Sequence, residues 1–175
     1  IYYYRLTPTL AGGNPPAGAT TIVAVPSRDQ LAGGLLSTSS LDLWRPGDAF
    51  AVARQSDGKW IVGGNFTHVN GVGRKNIARL NADGSLDASF QPGAGPDALV
   101  RCVAIQPDGK IVIGGAFNNI GTVPANSVGR LLPNGSLDST FTASFSTPPI
   151  AYALVIQVDG RIVVGQTTKR EILEL

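Results

Sequence analysis

The chain has 175 residues, of which 43% are hydrophobic and only 15% are charged, with a formal net charge of +2. This composition is too apolar for a disordered chain and too lightly charged for a protein of long helices. The basic residues are scattered, without the Lys/Arg block that marks a nucleic-acid surface. Ten acidic residues are Asp and two are Glu. Because Asp favours turns and Glu favours helices, this balance favours a β protein rich in turns.

No apolar run approaches the ~18 residues of a membrane helix. The chain contains no Met and begins at Ile1, so we expect a processed protein, an excised domain or part of a longer one. Cys102 is the single cysteine, so no disulfide can form within the chain. It lies in the apolar run 99–105, where we expect a small buried side chain rather than a reactive thiol.

The N-terminal residues 1–48 predict a degenerate, shortened repeat unit. Residues 22–34 resemble a β-hairpin whose Asp-Gly turn has lost its Gly, and residues 35–42 match a later segment position by position. The three tyrosines at 2–4 fit either an exposed binding patch or a packed strand. Their position within the repeat favours the strand.

A tandem repeat follows and is the main signal in the sequence. The segment 55–66 returns at 106–117 and again at 157–166, so its Asp-Gly pair recurs with a shift of 51 residues. A second motif at 78–90 returns at 129–141 with the same shift. Two motifs that share one period indicate repeated structural units rather than chance similarity.

Each unit has the period of strands. Around Asp108-Gly109, two β-rich runs form a strong hairpin signal, because Gly readily adopts the positive φ of such turns. Residues 111–113 are apolar at consecutive positions, so we expect this strand to be covered on both faces. The pair Gly114-Gly115 then indicates a bulge or a close approach of backbones. Residues 128–132 predict a third strand, and residues 136–141 a fourth, weaker one.

These observations predict an all-β fold, a β-propeller-like array of about four units of ~50 residues, each with four antiparallel strands and the first shortened. We divide the chain into a degenerate unit at 1–48, clear units at 49–98 and 99–148, and a partial unit at 149–175. An open β-solenoid or a pair of sandwiches is the alternative. Solenoid coils are usually shorter and lack this hairpin pattern.

The pattern Gln-x-Asp-Gly-Lys-Ile-Val-x-Gly-Gly-x-Phe at 106–117 is followed by Arg-Leu-x-x-x-Gly-Ser-Leu-Asp-x-x-Phe at 130–141. Together they resemble the delta-60 repeat, a β-propeller repeat of bacterial proteins that are often secreted or surface-exposed. The resemblance is specific over 51–141, fair as far as 166 and weak over 1–48. It implies a propeller in an extracellular or cell-surface setting, and it carries no general catalytic residues.

Two arginines, Arg79 and Arg130, recur at one repeat position, with Arg5 as a candidate third member. Recurrence favours a structural role, such as binding a carbonyl or an Asp of the neighbouring unit. The alternative is a ring of Arg side chains that lines a propeller channel and meets an anion.

Two further candidate sites have simpler interpretations. The fragment around Asp83-Gly84 and Asp87 is like part of a calcium loop, but a calcium cage needs six or more oxygens and Arg79 stands upstream where a ligand is needed. We interpret it as an Asx-type turn followed by a strand. His68, the only histidine, has no partners for a catalytic triad or a zinc site, and we expect a solvated loop residue.

The sequence favours a non-catalytic scaffold or binding module without a cofactor, which meets a protein or glycan through loops that differ between units. The candidate ligand-contact residues in these loops are Asn70, Arg74, Asn76, Asn118, Asn119 and Asn126. One alternative is a structural segment that joins further copies or segments of the same repeat protein edge to edge. The remote alternative is a hydrolase or lyase in a propeller channel, an activity that fold alone does not license. We expect neither a nucleic-acid partner nor a membrane span.

Overall fold

The computed structural model describes residues 43–44, 47–143, 150–166 and 170–173. Most of the predicted degenerate unit, including the tyrosines at 2–4, Arg5 and the hairpin expected at 22–34, lies outside the described residues. Within the described part the secondary structure is all β, without a helix. No helix there is long and apolar enough to cross a membrane. The strands are β1 (Leu43–Trp44), β2 (Asp48–Arg54), β3 (Trp60–Asn65), β4 (His68–Val69), β5 (Val72–Gly73), β6 (Ile77–Leu80), β7 (Val100–Ile105), β8 (Ile111–Gly115), β9 (Asn119–Ile120), β10 (Val123–Pro124), β11 (Val128–Leu131), β12 (Ala151–Ile156), β13 (Ile162–Gln166) and β14 (Arg170–Leu173).

Three antiparallel sheets carry the fold. The first sheet has the strand order β2-β3-β6, the second β7-β8-β11 and the third β12-β13-β14. Strands β2 and β3 pack on β7, and strands β7 and β8 pack on β12. The sheets therefore stack in chain order, and the prediction of an array of antiparallel β units is confirmed.

In the units of the first two sheets, the fourth strand is shorter than expected. In the first sheet it is reduced to one bridge between Leu80 and Leu86, and in the second to one bridge between Leu131 and Leu137. The reason lies in the residue that follows the bridge. The Asp87 carboxylate accepts a hydrogen bond from the backbone N–H of Ser89 at 2.9 Å, which closes a local turn in competition with the strand ladder.

The stacked faces form the core. Ile111, Val112 and Ile113 of β8 are all fully buried, which confirms that this strand is covered on both faces. Ile111 and Ile113 belong to the apolar cluster shared with the first sheet, whereas Val112 belongs to the cluster shared with the third. Alternation along the strand thus directs neighbouring side chains into two different interfaces.

The paired glycines make this stacking possible. A side chain at Gly114 would place its Cβ 2.6 Å from the Cys102 sulfur and 3.0 Å from Cβ of Ala151, which lies on the next sheet. A Cβ at Gly115 would collide with the carbonyl oxygen of Leu99, at the bulge between Val100 and Cys102. Both predicted roles, a bulge and a close approach, are confirmed.

Cys102 is buried in β7 against the third sheet, where its sulfur lies 3.8 Å from the Ala151 carbonyl oxygen. Burial raises the pKa of its thiol to about 12, so the thiol stays protonated at neutral pH. The expected role as a small apolar core residue is confirmed.

Candidate functional site

The two ends of each sheet differ in construction. At one end, here called the turn end, lie the Asp-Gly turns at 55–59, 81–85, 106–110 and 157–161 and the Asn-Gly turn at 132–136. At the other, here called the loop end, short hairpins connect the second and third strands of the first two sheets, at 66–76 and 117–127. The candidate ligand-contact residues all belong to the loop end.

The turn end uses its polar side chains to hold its own backbone. The Asp83 carboxylate accepts hydrogen bonds from the Ser85 backbone N–H at 2.9 Å and from the Ser85 hydroxyl at 2.6 Å. These hydrogen bonds lower the pKa of Asp83 below its ordinary value. The Asx-turn interpretation of this segment is confirmed.

Arg79 links one unit to the next. Its Nε donates to Oδ2 of Asp87 at 2.9 Å, and its Nη1 donates to the carbonyl oxygen of Pro133 at 2.6 Å, across to the following unit. Its guanidinium carbon lies 5.0 Å from the centroid of the Phe90 ring, and the Arg79 side chain is buried. The expected role of binding a carbonyl of the neighbouring unit is confirmed, and a channel-lining role does not fit so buried a group.

The carboxylate of Asp87 is the centre of this cluster. Burial alone raises its pKa, but hydrogen bonds from Ser89, Lys59 and Arg79 outweigh burial and lower the pKa well below its ordinary value. The Lys59 ammonium lies 2.9 Å from Oδ2 of Asp87. Because the charge is paired and hydrogen-bonded on several sides, it is retained at neutral pH despite burial.

The loop end is built differently, from two small hairpins. In the first, Asn70 and Gly71 both have positive φ, as a two-residue type I′ turn requires. In the second, Gly121 has positive φ and Thr122 does not, in keeping with a type II′ turn. The hairpin strands end in exposed residues, among them Val72 and Val123.

Three of the six candidate contact residues, Asn70, Asn118 and Asn126, are exposed. Asn70 and Asn126 have positive φ, which Asn tolerates better than most residues. Arg74 is half-buried, and its Nη1 donates to the Gly73 carbonyl oxygen at 2.9 Å. These four residues present polar groups at or near the surface of the loop end.

The other two candidates, Asn76 and Asn119, have side chains that the fold already uses. Asn76 is 4% exposed, and its amide accepts from the backbone N–H of Phe66 at 3.1 Å and donates to the Pro96 carbonyl oxygen at 3.1 Å. Its side chain therefore lies inside the protein rather than at a contact surface. Asn119 donates from Nδ2 to the Asp97 carboxylate at 2.8 Å, which ties the second hairpin to the segment before the second sheet.

His68 lies in the two-residue strand β4, half-buried, rather than in an open loop. Its Nδ1 is 2.9 Å from the hydroxyl oxygen of Thr67. It pairs with Trp44 on one side and Gly73 on the other, in a small sheet of strand order β1-β4-β5. Local contacts of this kind hold His68 in place, so its position points to a structural role.

Sequence reasoning missed a set of residues on the edge strands, of which Phe50 and Tyr152 are exposed and Arg101 is half-buried. Phe50, Arg101 and Tyr152 occupy one repeat position, each at the bulge of the first strand of its sheet. The guanidinium carbon of Arg101 lies 5.8 Å from the Phe50 ring centroid and 4.7 Å from that of Tyr152. The 51-residue shift could have found them, because it aligns these three large side chains at one repeat position between smaller residues.

Comparison with known families agrees with this geometry. Residues 55–90 and 106–141 each match the family described as "Domain of unknown function (DUF5122) beta-propeller". The two matches run from the turn after the first strand of a unit to the Phe that follows the single bridge of its fourth strand, and they keep the 51-residue shift. The chain thus carries β-propeller repeats in a propeller-like array. In a comparison with curated proteins, none matches the chain.

Proposed function

We propose that the chain is a non-catalytic scaffold or binding module that meets a protein or glycan partner through its loop end. The observation that carries the proposal is the contrast between the two ends of the sheets. At the turn end, polar side chains are bonded to their own turns and to neighbouring units. At the loop end, Asn70, Asn118 and Asn126 are exposed on hairpins that differ between units, the arrangement that scaffolds use to present binding residues.

The absence of catalysis is part of the proposal and is supported by how the acidic residues are used. A catalytic carboxylate needs oxygens directed at a substrate. Here carboxylates in all three sheets instead accept backbone N–H hydrogen bonds; the Asp residues that do so are Asp57, Asp83, Asp87, Asp97, Asp108, Asp138 and Asp159. We further propose that the repeats are of the delta-60 kind and that the protein acts at the bacterial surface or outside the cell.

The test is a glycan array and an extended-peptide library screened with two variants beside the original protein. In the loop variant, Asn70→Gly and Asn126→Gly keep the positive φ, and Asn118→Ala removes the third exposed amide. In the control variant, Ser56→Ala and Val158→Ala change exposed turn-end residues. We expect the loop variant to lose the ligands that the control retains, at unchanged melting temperature. Equal binding by both variants, or no ligand in either screen, would contradict the proposal.

A second candidate function is that of a structural segment that joins further repeats, here through the outer face of the third sheet. It is favoured by Val155 of β12, which is 58% exposed. Its neighbours Leu154 and Ile156 pack towards the second sheet, so Val155 lies on the opposite face of the third sheet. Light scattering distinguishes the two functions. A mass above 18.1 kDa that Val155→Glu returns to the monomer favours assembly, and a monomer at high concentration opposes it.

A further inference from the structure

Three side chains from successive sheets form a ladder along the edge strands β2, β7 and β12. Phe50, Arg101 and Tyr152 are the extra residues of the bulges in these strands. A bulge breaks the pairing register and redirects a side chain. The ladder position therefore recurs in each of the three sheets, but the residue type changes. The cation Arg101 lies between the aromatic residues Phe50 and Tyr152.

The guanidinium group of Arg101 lies close to both rings. The distances of 5.8 Å to Phe50 and 4.7 Å to Tyr152 are within the range of cation–π attraction. Phe50 and Tyr152 are 44% and 46% exposed, and Arg101 between them is half-buried, so the two rings are open to solvent. A planar guanidinium that stacks on rings keeps its N–H donors in its own plane, where they match the two oxygens of a carboxylate.

Arg101 differs from the arginines of the turn end in having no acidic partner among the described residues. Arg79 and Arg130 each hold an Asp oxygen at 2.9 Å. The Nε of Arg101 is instead buried with no hydrogen-bond partner within the described part of the chain. A buried donor left without an acceptor is unfavourable, and more so for a charged group. Because this nitrogen is buried, a ligand can reach the guanidinium group only through its two terminal nitrogens.

We propose that Arg101 binds the carboxylate of a peptide, with Phe50 and Tyr152 packing against the apolar residues that flank it. The ladder presents one positive charge between two uncharged rings. A polyanion such as a nucleic acid is bound by several cations in a row, whereas one carboxylate with apolar neighbours matches this pattern. The carboxylate comes either from an acidic side chain or from a free C-terminus.

This inference goes beyond the proposed function, because none of its residues lies in the loop-end hairpins. The two ideas fail separately. The loop variant Asn70→Gly, Asn118→Ala, Asn126→Gly leaves the ladder intact, so peptide binding at Arg101 is expected to persist in it. Loss of peptide binding in that variant, with Arg101 unchanged, would overturn the assignment to the ladder.

The experiment is an NMR titration of the isotope-labelled protein, following the Arg101 Nε–H signal and the backbone amides at the three bulges. The probes are acetyl-Leu-Glu-Leu-amide, its Gln counterpart, acetyl-Leu-Leu with a free C-terminus, and the same dipeptide as its amide. We expect at least one carboxylate peptide to bind about tenfold more tightly than its amide counterpart, the difference that one charge-assisted hydrogen bond supplies. Whichever carboxylate peptide binds identifies the source. Equal binding of each acid and its amide, or no shift with either acid, overturns the proposal.

Matched variants separate binding from packing. Arg101→Gln is expected to abolish the preference for the carboxylate, and Tyr152→Ala to weaken it. Arg54→Gln is the control, since Arg54 also lies over a ring, at 5.5 Å from Trp60, but outside the ladder. If Arg101→Gln fails to fold, the exposed Tyr152 position carries the test. If the ladder only stabilises the fold, these variants will lower the melting temperature of the protein without changing its preference between the acid and amide peptides. This outcome would overturn the proposal.

Discussion

Arg79, Asp87 and Phe90 form a cluster in the unit of the first sheet. Arg130, Asp138 and Phe141 form the equivalent cluster in the unit of the second sheet, but its surroundings differ. In the first, Phe90 is fully buried, and Gly135 of the next unit lies against its ring. In the second, Arg130 also holds Asp138 at 2.9 Å and lies 4.7 Å from the Phe141 ring, yet Phe141 is only half-buried. The cluster is therefore made within a unit, and its burial is completed by the turn of the following unit.

The comparison also separates two kinds of stabilisation. The Nε–carboxylate bond, which is a contact within the unit, has the same length of 2.9 Å in both clusters. The bonds of Arg79 to Pro133 and of Gln91 to Asn134 cross from one unit to the next. In repeat proteins, the total stability is approximately a sum of such internal and interface contributions. Substitutions at equivalent positions measure the interface contribution directly.

The largest difference is expected at the two phenylalanines. Phe90→Ala should lower the free energy of unfolding by about 3–5 kcal/mol, because it empties a closed site in the core. Phe141→Ala should cost about half as much, since part of its ring is already in contact with water. Urea denaturation of both variants measures the two losses. Equal losses would mean that the next unit adds nothing to the site of Phe90.

A smaller difference is expected at the first glycine of the paired-glycine motif. Gly114→Ala places a Cβ 3.0 Å from Ala151 of the next sheet, whereas at Gly165 the nearest atom is Cβ of Ala153 at 3.4 Å. Overpacking of this kind costs about 1–3 kcal/mol. We therefore expect Gly114→Ala to lower the midpoint of thermal unfolding by several degrees and Gly165→Ala to change it little. A larger loss at Gly165 would show that the third sheet is also covered at this position.

These positions also show how far the sequence predicts the fold. The 51-residue shift predicted the stacked β units, the hairpin turns and the tight contact at Gly114-Gly115, because each depends on residues close together in one repeat. For Arg79 the sequence predicted the kind of partner, a carbonyl or an Asp of the neighbouring unit. It did not identify Pro133, because that residue lies in another unit. The burial of Asn76 was missed because an Asn with positive φ in a loop also suits the surface.

The edge-strand ladder was missed for a different physical reason. Strand alternation alone does not reveal which way a side chain points at a bulge, and one extra residue shifts the register. The shortened fourth strand likewise depends on a local competition, in which the Asp87 and Asp138 side chains bond the backbone two residues ahead. Neither outcome follows from hydrophobic pattern.

The smallest difference is expected in the dependence of stability on pH. Asp87 and Asp138 have pKa values below the ordinary value in the folded protein. The unfolded chain therefore binds protons first as the pH falls, and the stabilisation present above about pH 4 is lost below it. Asp87 is held by Lys59 at 2.9 Å, whereas the equivalent Lys110–Asp138 distance is 3.9 Å.

We accordingly expect Asp87→Asn to flatten the acid limb of the stability profile more than Asp138→Asn does. Urea midpoints recorded between about pH 2 and pH 6 measure this slope. Identical profiles for the two variants would show that the closer Lys59 contact does not affect the titration of Asp87.

The most direct test of the role of the next unit is the pair Arg79→Gln and Arg130→Gln, compared by urea denaturation at neutral pH. Both substitutions leave an Asp without its guanidinium partner, but only Arg79 also bonds the Pro133 carbonyl and the Ser89 hydroxyl. We predict a loss of about 3 kcal/mol for Arg79→Gln and about 1 kcal/mol for Arg130→Gln. Equal losses, or a larger loss at Arg130, would contradict the conclusion that contact with the next unit's turn completes the cluster.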